Sequence, residues 1–368
     1  MSLIDLGYKS IVRPFLFQFD PEKVHEWAMK QMKWARLGKP ILRKLFCCEN
    51  PKLQQTIWGL PFPNPLGLAG GFDKNAVNAD IWELFGFGFF EIGTLTPKPQ
   101  PGNPKPRLFR YPGKKAIVNR MGFNNEGSQT IAERLQRSGK RRRNAKAIMG
   151  VSLGKQRDTP ADNLQAVIED YRISLQRLYR YGDFFIINIS SPNTPNLRSL
   201  QQRQPLTQLM YALKDEMLGL EGGEHPKPLC VKLAPDLSDD DVREAVDAVK
   251  ECGVDGIIAS NTSNQTKDME EGGLSGQPLR RRSTEMIRLI AEQTEGKLPI
   301  IGCGGIFTAD DAVEKLEAGA WLLQIYTSFV YEGPRTARSI LEGLVKYLDQ
   351  KGVSHIAELR TRNAAPSS

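Results

Sequence analysis

Between residues 64 and 326, short apolar runs alternate with longer amphipathic stretches. The runs "NPLGLAG" (64–70), "GFFEIG" (88–93), "AIMGVSL" (147–153), "FFIINIS" (184–190), "PLCVKLA" (228–234), "GIIASN" (256–261), "LPIIGCGG" (298–305) and "WLLQIY" (321–326) have the length and composition of buried strands. Between them lie helical patterns such as "TPADNLQAVIEDYRISLQRLYRYG" and "SDDDVREAVDAVKECG", the second opening on a serine N-cap and three acids. Eight strand and helix units in strict alternation predict an α/β fold of the (β/α)8 barrel type, with a doubly wound open sheet as the alternative.

The first fifty residues follow another period. Asp20 and Pro21 read as an N-cap and a first helical position, and "PEKVHEWAMKQMKWARLG" predicts a helix as far as Gly38. At ~100° per residue, Val24, Trp27, Ala28, Met32, Trp34 and Ala35 fall on one side, and Lys23, Lys30, Lys33 and Arg36 on the other. A second amphipathic stretch, "KPILRKLFCC", follows. Two such helices either pack on the body of the protein or lie in a membrane interface, tryptophans toward lipid and basic groups toward anionic headgroups. The chain thus divides into a helical module (1–50), a barrel (51–350) and a C-terminal tail (351–368).

Composition narrows the classes. A chain of 368 residues with 40% hydrophobic content can bury a large core. Its five cysteines are odd in number and lack metal-ligand spacing, which argues against a disulfide framework or a zinc site and predicts no metal. The net charge is +8, and much of the excess lies in residues 1–60, where ten lysines and arginines stand against five carboxylates. Those basic residues alternate with acids and carry no aromatic stacking platform, so nucleic acid is not an expected partner. No apolar run approaches the roughly 20 residues that span a bilayer, and Arg13, Pro14 and Gln18 interrupt the candidate for a signal peptide near the start.

The candidate chemistry lies at the strand ends, which a barrel gathers into one mouth. Gly70, Gly71 and Lys74 follow the first strand, Thr94 the second, Ser152 the third and Asn188 the fourth. Lys232 ends the fifth, Ser260 and Asn261 the sixth, Gly304 and Gly305 the seventh, Tyr326 and Thr327 the eighth. "GCGGIFTADDAVEKL" puts glycines before a helix, where backbone N–H groups and the helix N-terminus can hold a phosphate. Lys232, inside the apolar "CVKLAP", is expected to face an anionic ligand, because an unpaired buried ammonium is costly. After the fourth strand comes "NISSPNTPNLR", a rigid cluster of amides and hydroxyls with no carboxylate and no histidine.

With these motifs assembled, the chain resembles the dihydroorotate dehydrogenases, specifically their membrane-associated, quinone-reducing class. The resemblance rests on "NPLGLAGGFDKNA", "EIGTLTPKPQPGNPKPRLFR", "NRMGFNN", "NISSPNTPNLR", "VKLAPDL", "GGLSGQPL", "GCGGI" and "QIYTSF", and runs from "DPEKVHEWA" to the eighth strand. It implies oxidation of dihydroorotate to orotate in pyrimidine biosynthesis, an FMN cofactor at the barrel mouth, and a membrane quinone as final acceptor. FMN is expected against Gly70, Gly71, Phe72, Asp73, Lys74, Thr94, Ser152, Asn188, Lys232, Ser260, Gly276, Gly305, Tyr326 and Thr327. Orotate is expected against Lys74, Asn119, Arg120, Met121, Gly122, Phe123, Asn188, Asn193, Asn261 and Thr262. Ser191 matches the catalytic base, with its proton passed on through Thr194 or a water, and His25, Arg110 and Tyr326 match positions along the quinone path.

Two residues depart from the family's pattern: Ser152 stands where an asparagine usually touches the flavin, and Ser260 where threonine is common. The soluble classes carry cysteine where Ser191 stands, so the serine agrees with the helical module. A monomer held peripherally on the cytoplasmic face of a bacterial cell membrane is the expected setting. The basic charge also admits a flavin barrel that reduces uridine in transfer RNA, and a non-enzymatic membrane-surface protein on a barrel scaffold is the remaining alternative.

Overall fold

The structure is a computed structural model that describes residues 2–142, 145–222 and 225–361. A short antiparallel hairpin, β1 (Gln55–Ile57) and β2 (Leu60–Phe62), leads into β3 (Leu66–Asp73) and β4 (Phe89–Leu95). Two short strands follow, β5 (Leu108–Tyr111) and β6 (Ala116–Asn119), and then β7 (Ile148–Leu153), β8 (Phe184–Asn188), β9 (Leu229–Leu233) and β10 (Gly256–Ala259). β11 (Gly273–Gly276), β12 (Ile300–Cys303) and β13 (Leu322–Ile325) complete the set. β3, β4, β7, β8, β9, β10, β12 and β13 pair in parallel and close into a barrel, each expected strand in its expected place.

Both faces of these strands are buried, which is why they read as continuous apolar runs rather than alternating ones. Outward residues pack under the helices, whereas Phe89, Phe184, Ile186, Cys230, Ile258 and Ile301 fill the barrel interior. Gly67 makes room for this filling, since a Cβ there would lie 2.4 Å from the Phe89 ring. Ile57 and Phe62 of the β1–β2 hairpin join the same interior cluster and close the N-terminal end of the barrel. The opposite end is left for chemistry.

That end carries a feature the hydrophobic pattern did not reveal. β5, β6 and β11 form a three-stranded antiparallel sheet inserted after β4 and β10. Each of the three has only four residues, too few to show a period of two against the prolines and glycines around them.

The helical module differs from the expectation in three ways. Residues 3–16 are also helical, as Leu3–Gly7, Tyr8–Val12 and Arg13–Leu16. The helix expected to reach Gly38 is α-helical only over Pro21–Gln31 and tightens into 3-10 turns over Met32–Gly38, before Lys39–Phe46. Burial also reaches beyond the predicted apolar side: Glu22 and Met29 are buried, while of that side Met32 and Ala35 pack on the core and Trp27 and Trp34 are exposed. Glu22 is buried because Arg107 meets it at 2.8 Å, an interaction no helical period can display. Arg36, grouped with the exposed basic face, instead pairs with Asp80 at 2.7 Å.

The segment after the last long helix, Thr336–Gln350, returns to the barrel base with Val353, Ile356 and Leu359 buried. Residues 362–368 of the expected tail lie outside the described residues.

Candidate active site

The barrel mouth opens on a cavity with about 1120 Å³ of empty space, its open entrance included. At one end Asn119, Met121, Gly122, Phe123, Ser191, Asn193, Asn261 and Thr262 line it; at the other, Gly276, Gly304, Gly305, Ile306 and Thr327. Gly70, Gly71, Lys74, Glu91, Thr94, Asn188, Lys232, Ser260, Gln324 and Tyr326 complete its polar wall, and Leu108, Ile117 and Phe307 supply apolar ground.

The amide cluster is held by its own hydrogen bonds. Asn193 donates through Nδ2 to the carbonyl of Asn119 at 3.0 Å and to its Oδ1 at 3.1 Å. Asn188 donates to Thr94 Oγ1 at 2.7 Å, and Asn261 donates to Asn188 Oδ1 at 3.3 Å and to Ser190 Oγ at 2.9 Å. Arg198, which the sequence did not single out, ties these loops together by donating to the carbonyls of Ser190 and Thr262 and pairing with Asp236 at 2.7 Å. Ser191 Oγ accepts from the Asn193 N–H at 3.2 Å, which leaves its own proton free to point into the cavity. Among the described residues no hydrogen bond joins Thr194 to Ser191, so the relay expected through Thr194 is not preformed.

The two lysines differ. Lys74 has no ion pair among the described residues, and burial draws its ammonium down to about 8. Lys232 does not stand alone before a ligand as expected: its Nζ lies 3.2 Å from Oε2 of Glu91, whose carboxylate also accepts from Gln324 at 2.9 Å. Glu91 sits inside "GFFEIG", and a carboxylate and an ammonium in two apolar strands could have been paired by the burial cost that singled out Lys232. The Gln324 Oε1 is buried without a hydrogen-bond partner and faces a cavity able to bring a donor.

Several expected contacts stand behind the wall rather than in it. Ser152 is fully buried, with its hydroxyl 3.1 Å from Thr94 Oγ1, so its shorter side chain supports Thr94 where a longer amide would reach the cavity. Asp73 folds the loop after β3 by accepting from the N–H groups of Val77 and Asn78 and from Trp82 Nε1. Arg120 turns outward over the Phe109 ring and toward Glu270. Phe72 is packed between His25 and Tyr326, with ring centroids 5.0 and 5.3 Å away, which links the helical module to the cavity wall. Burial, assisted by Lys74, holds His25 near 4, so the ring is neutral at pH 7. Arg110 donates to the carbonyls of Leu16, Phe17 and Phe19 and lies over the Phe17 ring.

The phosphate region also differs from the expectation in one respect. The helix Ala309–Glu317 is capped by its own Thr308 and Asp311, and Asp311 also accepts from the Phe307 N–H. Its N-terminus is therefore occupied. The Gly305 and Ile306 N–H groups, by contrast, have no acceptor among the described residues and stand at the cavity.

Comparison with known proteins agrees with this geometry. The family model described as dihydroorotate dehydrogenase matches residues 52–348. The chain belongs to the dihydroorotate dehydrogenase family. Within it, a protein named dihydroorotate dehydrogenase (quinone) from Thermosynechococcus vestitus is 44% identical, covering 94% of this chain and 98% of its own. The protein of that name from Gloeobacter violaceus is 46% identical, covering 95% and 97%. A crystal structure of the Eimeria tenella dihydroorotate dehydrogenase in complex with ferulenol superposes with a TM-score of 0.83 at 36% identity, over 93% of this chain and 96% of that one. The family coverage includes the helical module, which lies outside the matched family model but inside the full-length relatives.

Proposed function

We propose that the protein oxidises dihydroorotate to orotate in pyrimidine biosynthesis and passes the electrons to a quinone. The carrying observation is a cavity at the barrel mouth that sets the fixed amides of Asn119, Asn193 and Asn261 and the Ser191 hydroxyl beside Lys74, with the lining carboxylate, Glu91, paired to Lys232 and no imidazole in the lining. That set suits a substrate that loses a proton beside a carbonyl. Asn119 and Asn193, bonded to each other, and Asn261, held by Asn188 and Ser190, bind the pyrimidine ring and stabilise charge growing on its carbonyl oxygens. Lys74 meets the substrate carboxylate, and its ammonium helps to acidify the departing proton. Ser191 Oγ accepts that proton and hands its own to water entering from the mouth.

FMN is the cofactor these residues fit. The glycine wall at Gly70 and Gly71 admits a flat ring, the orphaned Gln324 Oε1 awaits a donor, and the free N–H groups of Gly305 and Ile306 suit a phosphate. When bound there, the flavin supplies the hydride acceptor. Gly276, Ser260, Thr94, Asn188, Lys232, Tyr326 and Thr327 would hold it from the remaining sides.

The quinone enters between the helical module and the mouth sheet, where Phe17, Tyr326 and Val330 join the apolar cluster of Leu108, Ile117 and Phe307. His25 and Arg110 shape that vestibule from behind. Among the described residues no helix is long and apolar enough to cross a membrane. The exposed Leu3, Ile11, Phe15, Trp34, Leu37 and Ile41 support a peripheral seat on a membrane, and we propose the cytoplasmic face of a bacterial one, with the protein as a monomer. The test is anaerobic titration with dihydroorotate, which should bleach the flavin absorbance, followed by a quinone, which should restore it. An absorbance that dihydroorotate leaves unchanged overturns the assignment.

A further inference from the structure

Behind the cavity wall lies a cation that the chemistry above does not use. Lys315, in the helix Ala309–Glu317, is 0% exposed. Its Nζ donates to the Arg280 carbonyl at 3.2 Å, to Ser283 Oγ at 3.1 Å and to Thr284 Oγ1 at 3.1 Å. All three ammonium protons are satisfied by neutral oxygens, and among the described residues no carboxylate lies within ion-pair distance. Two carboxylates of the same helix, Asp311 and Glu314, turn to Arg280. A cross-brace between two helices needs hydrogen bonds, which a neutral polar side chain supplies without the cost of burying a charge.

The buried charge lies against the loop that ends β12. Ser283, which accepts from Lys315, donates in turn to the Cys303 carbonyl at 2.7 Å. A Cβ on Gly304 would stand 3.2 Å from Ser283 Cβ, and one on Gly305 would stand 2.5 Å from Arg280 Cα. The first turn of the helix Arg280–Gln293 is therefore sandwiched between Lys315 and the Gly304–Gly305 loop. Arg280 is shared by two carboxylates, so without Lys315 this cluster would present a net negative charge to the loop.

We propose that Lys315 is a positioning residue for a phosphate monoester: a buried positive charge behind the Gly304–Gly305 loop that favours phosphorylated over unphosphorylated flavin. It touches no ligand, and it acts through the potential at the loop and through the turn that carries Arg280 and Ser283. The inference rests on the flavin phosphate lying in that loop, and the experiment separates the two.

Full-length protein is loaded with FMN or with riboflavin, and the release of each on dilution is followed by the return of free-flavin fluorescence. Wild type should release riboflavin faster than FMN. Lys315→Gln, which keeps a donor but not the charge, and Lys315→Met, which keeps neither, should both speed FMN release by about tenfold or more while changing riboflavin release by less than about twofold. Equal acceleration of both flavins in the two variants would reduce Lys315 to a brace and overturn the proposal, as would unchanged FMN release in both. If wild type itself releases the two flavins at one rate, it is the phosphate placement that falls, and the role of Lys315 with it.

Discussion

At the barrel mouth the amides are tied in two pairs, Asn193 to Asn119 and Asn261 to Asn188, whereas the helical module leaves Leu37 80% and Trp34 68% exposed. The mouth is organised before any ligand arrives, so little has to be ordered at the moment of reaction. The module is anchored by a few polar contacts, Glu22 to Arg107, Arg36 to Asp80 and Tyr8 to the Val330 carbonyl, and its outer apolar residues, Leu3, Ile11, Trp34, Leu37 and Ile41 among them, are exposed. One region is built to hold a small polar molecule in one pose, whereas the other presents an exposed apolar surface. The two communicate through the aromatic pile of His25, Phe72 and Tyr326.

The sharpest break between the regions is predicted for Ser191→Ala. It should slow flavin reduction by dihydroorotate by roughly 10²- to 10⁴-fold while leaving orotate binding nearly unchanged, because the lost group acts in the transition state. Stopped-flow bleaching set beside an orotate titration checks this. A Ser191→Cys protein should retain part of the rate.

Next in size is the buried anchor. Burial raises the Glu22 carboxyl, but Arg107 and Lys105 outweigh it and hold the group below its usual range. Glu22→Gln leaves Arg107 buried without its charge partner and should lower stability by about 3–5 kcal/mol, whereas Lys23→Gln on the exposed face should stay within about 0.5 kcal/mol. Denaturant unfolding of both proteins gives the comparison. The same pair explains why deleting the module outright is a poor test of quinone access: the barrel would keep an orphaned Arg107.

The third prediction concerns pH at the mouth. Lys74 titrates near 8 in the free protein, and the orotate carboxylate favours its charged form. Affinity for orotate should thus be constant below about pH 7.5 and fall as pH rises through 8, approaching tenfold per pH unit. Isothermal titration across pH 6–9 measures it, and Lys74→Met should bind weakly with a flat profile.

The smallest expected change lies on the outer face of the module. A combined Trp34→Ser, Leu37→Ser and Ile41→Ser protein should keep its reduction of a soluble dye and lose several-fold in reduction of a long-tailed quinone, with weaker binding to anionic vesicles. A constant ratio of quinone to dye activity would mean that this face has no part in quinone delivery.

The order of the eight strands, and hence the barrel and its mouth, was legible along the chain because continuous apolar runs and helical periods are local properties. So was the unusual loop after "FFIIN", a cluster of amides, hydroxyls and prolines without a base, although its chemistry was implied only by the family resemblance. Charge partners were not read, although the cost of burying Glu91 and Lys232 in two apolar strands offered one hint. Glu91 and Lys232 are 141 residues apart, and Glu22 and Arg107 are 85 apart, yet each pair meets in the interior, where the energy of a charge depends on what lies within a few ångströms. The same distance dependence put Ser152 behind Thr94, took Arg36 from the basic face to Asp80, and set Lys315 behind the glycine loop. Periodicity determined which residues could be inside; only the closed barrel decided which of them touch.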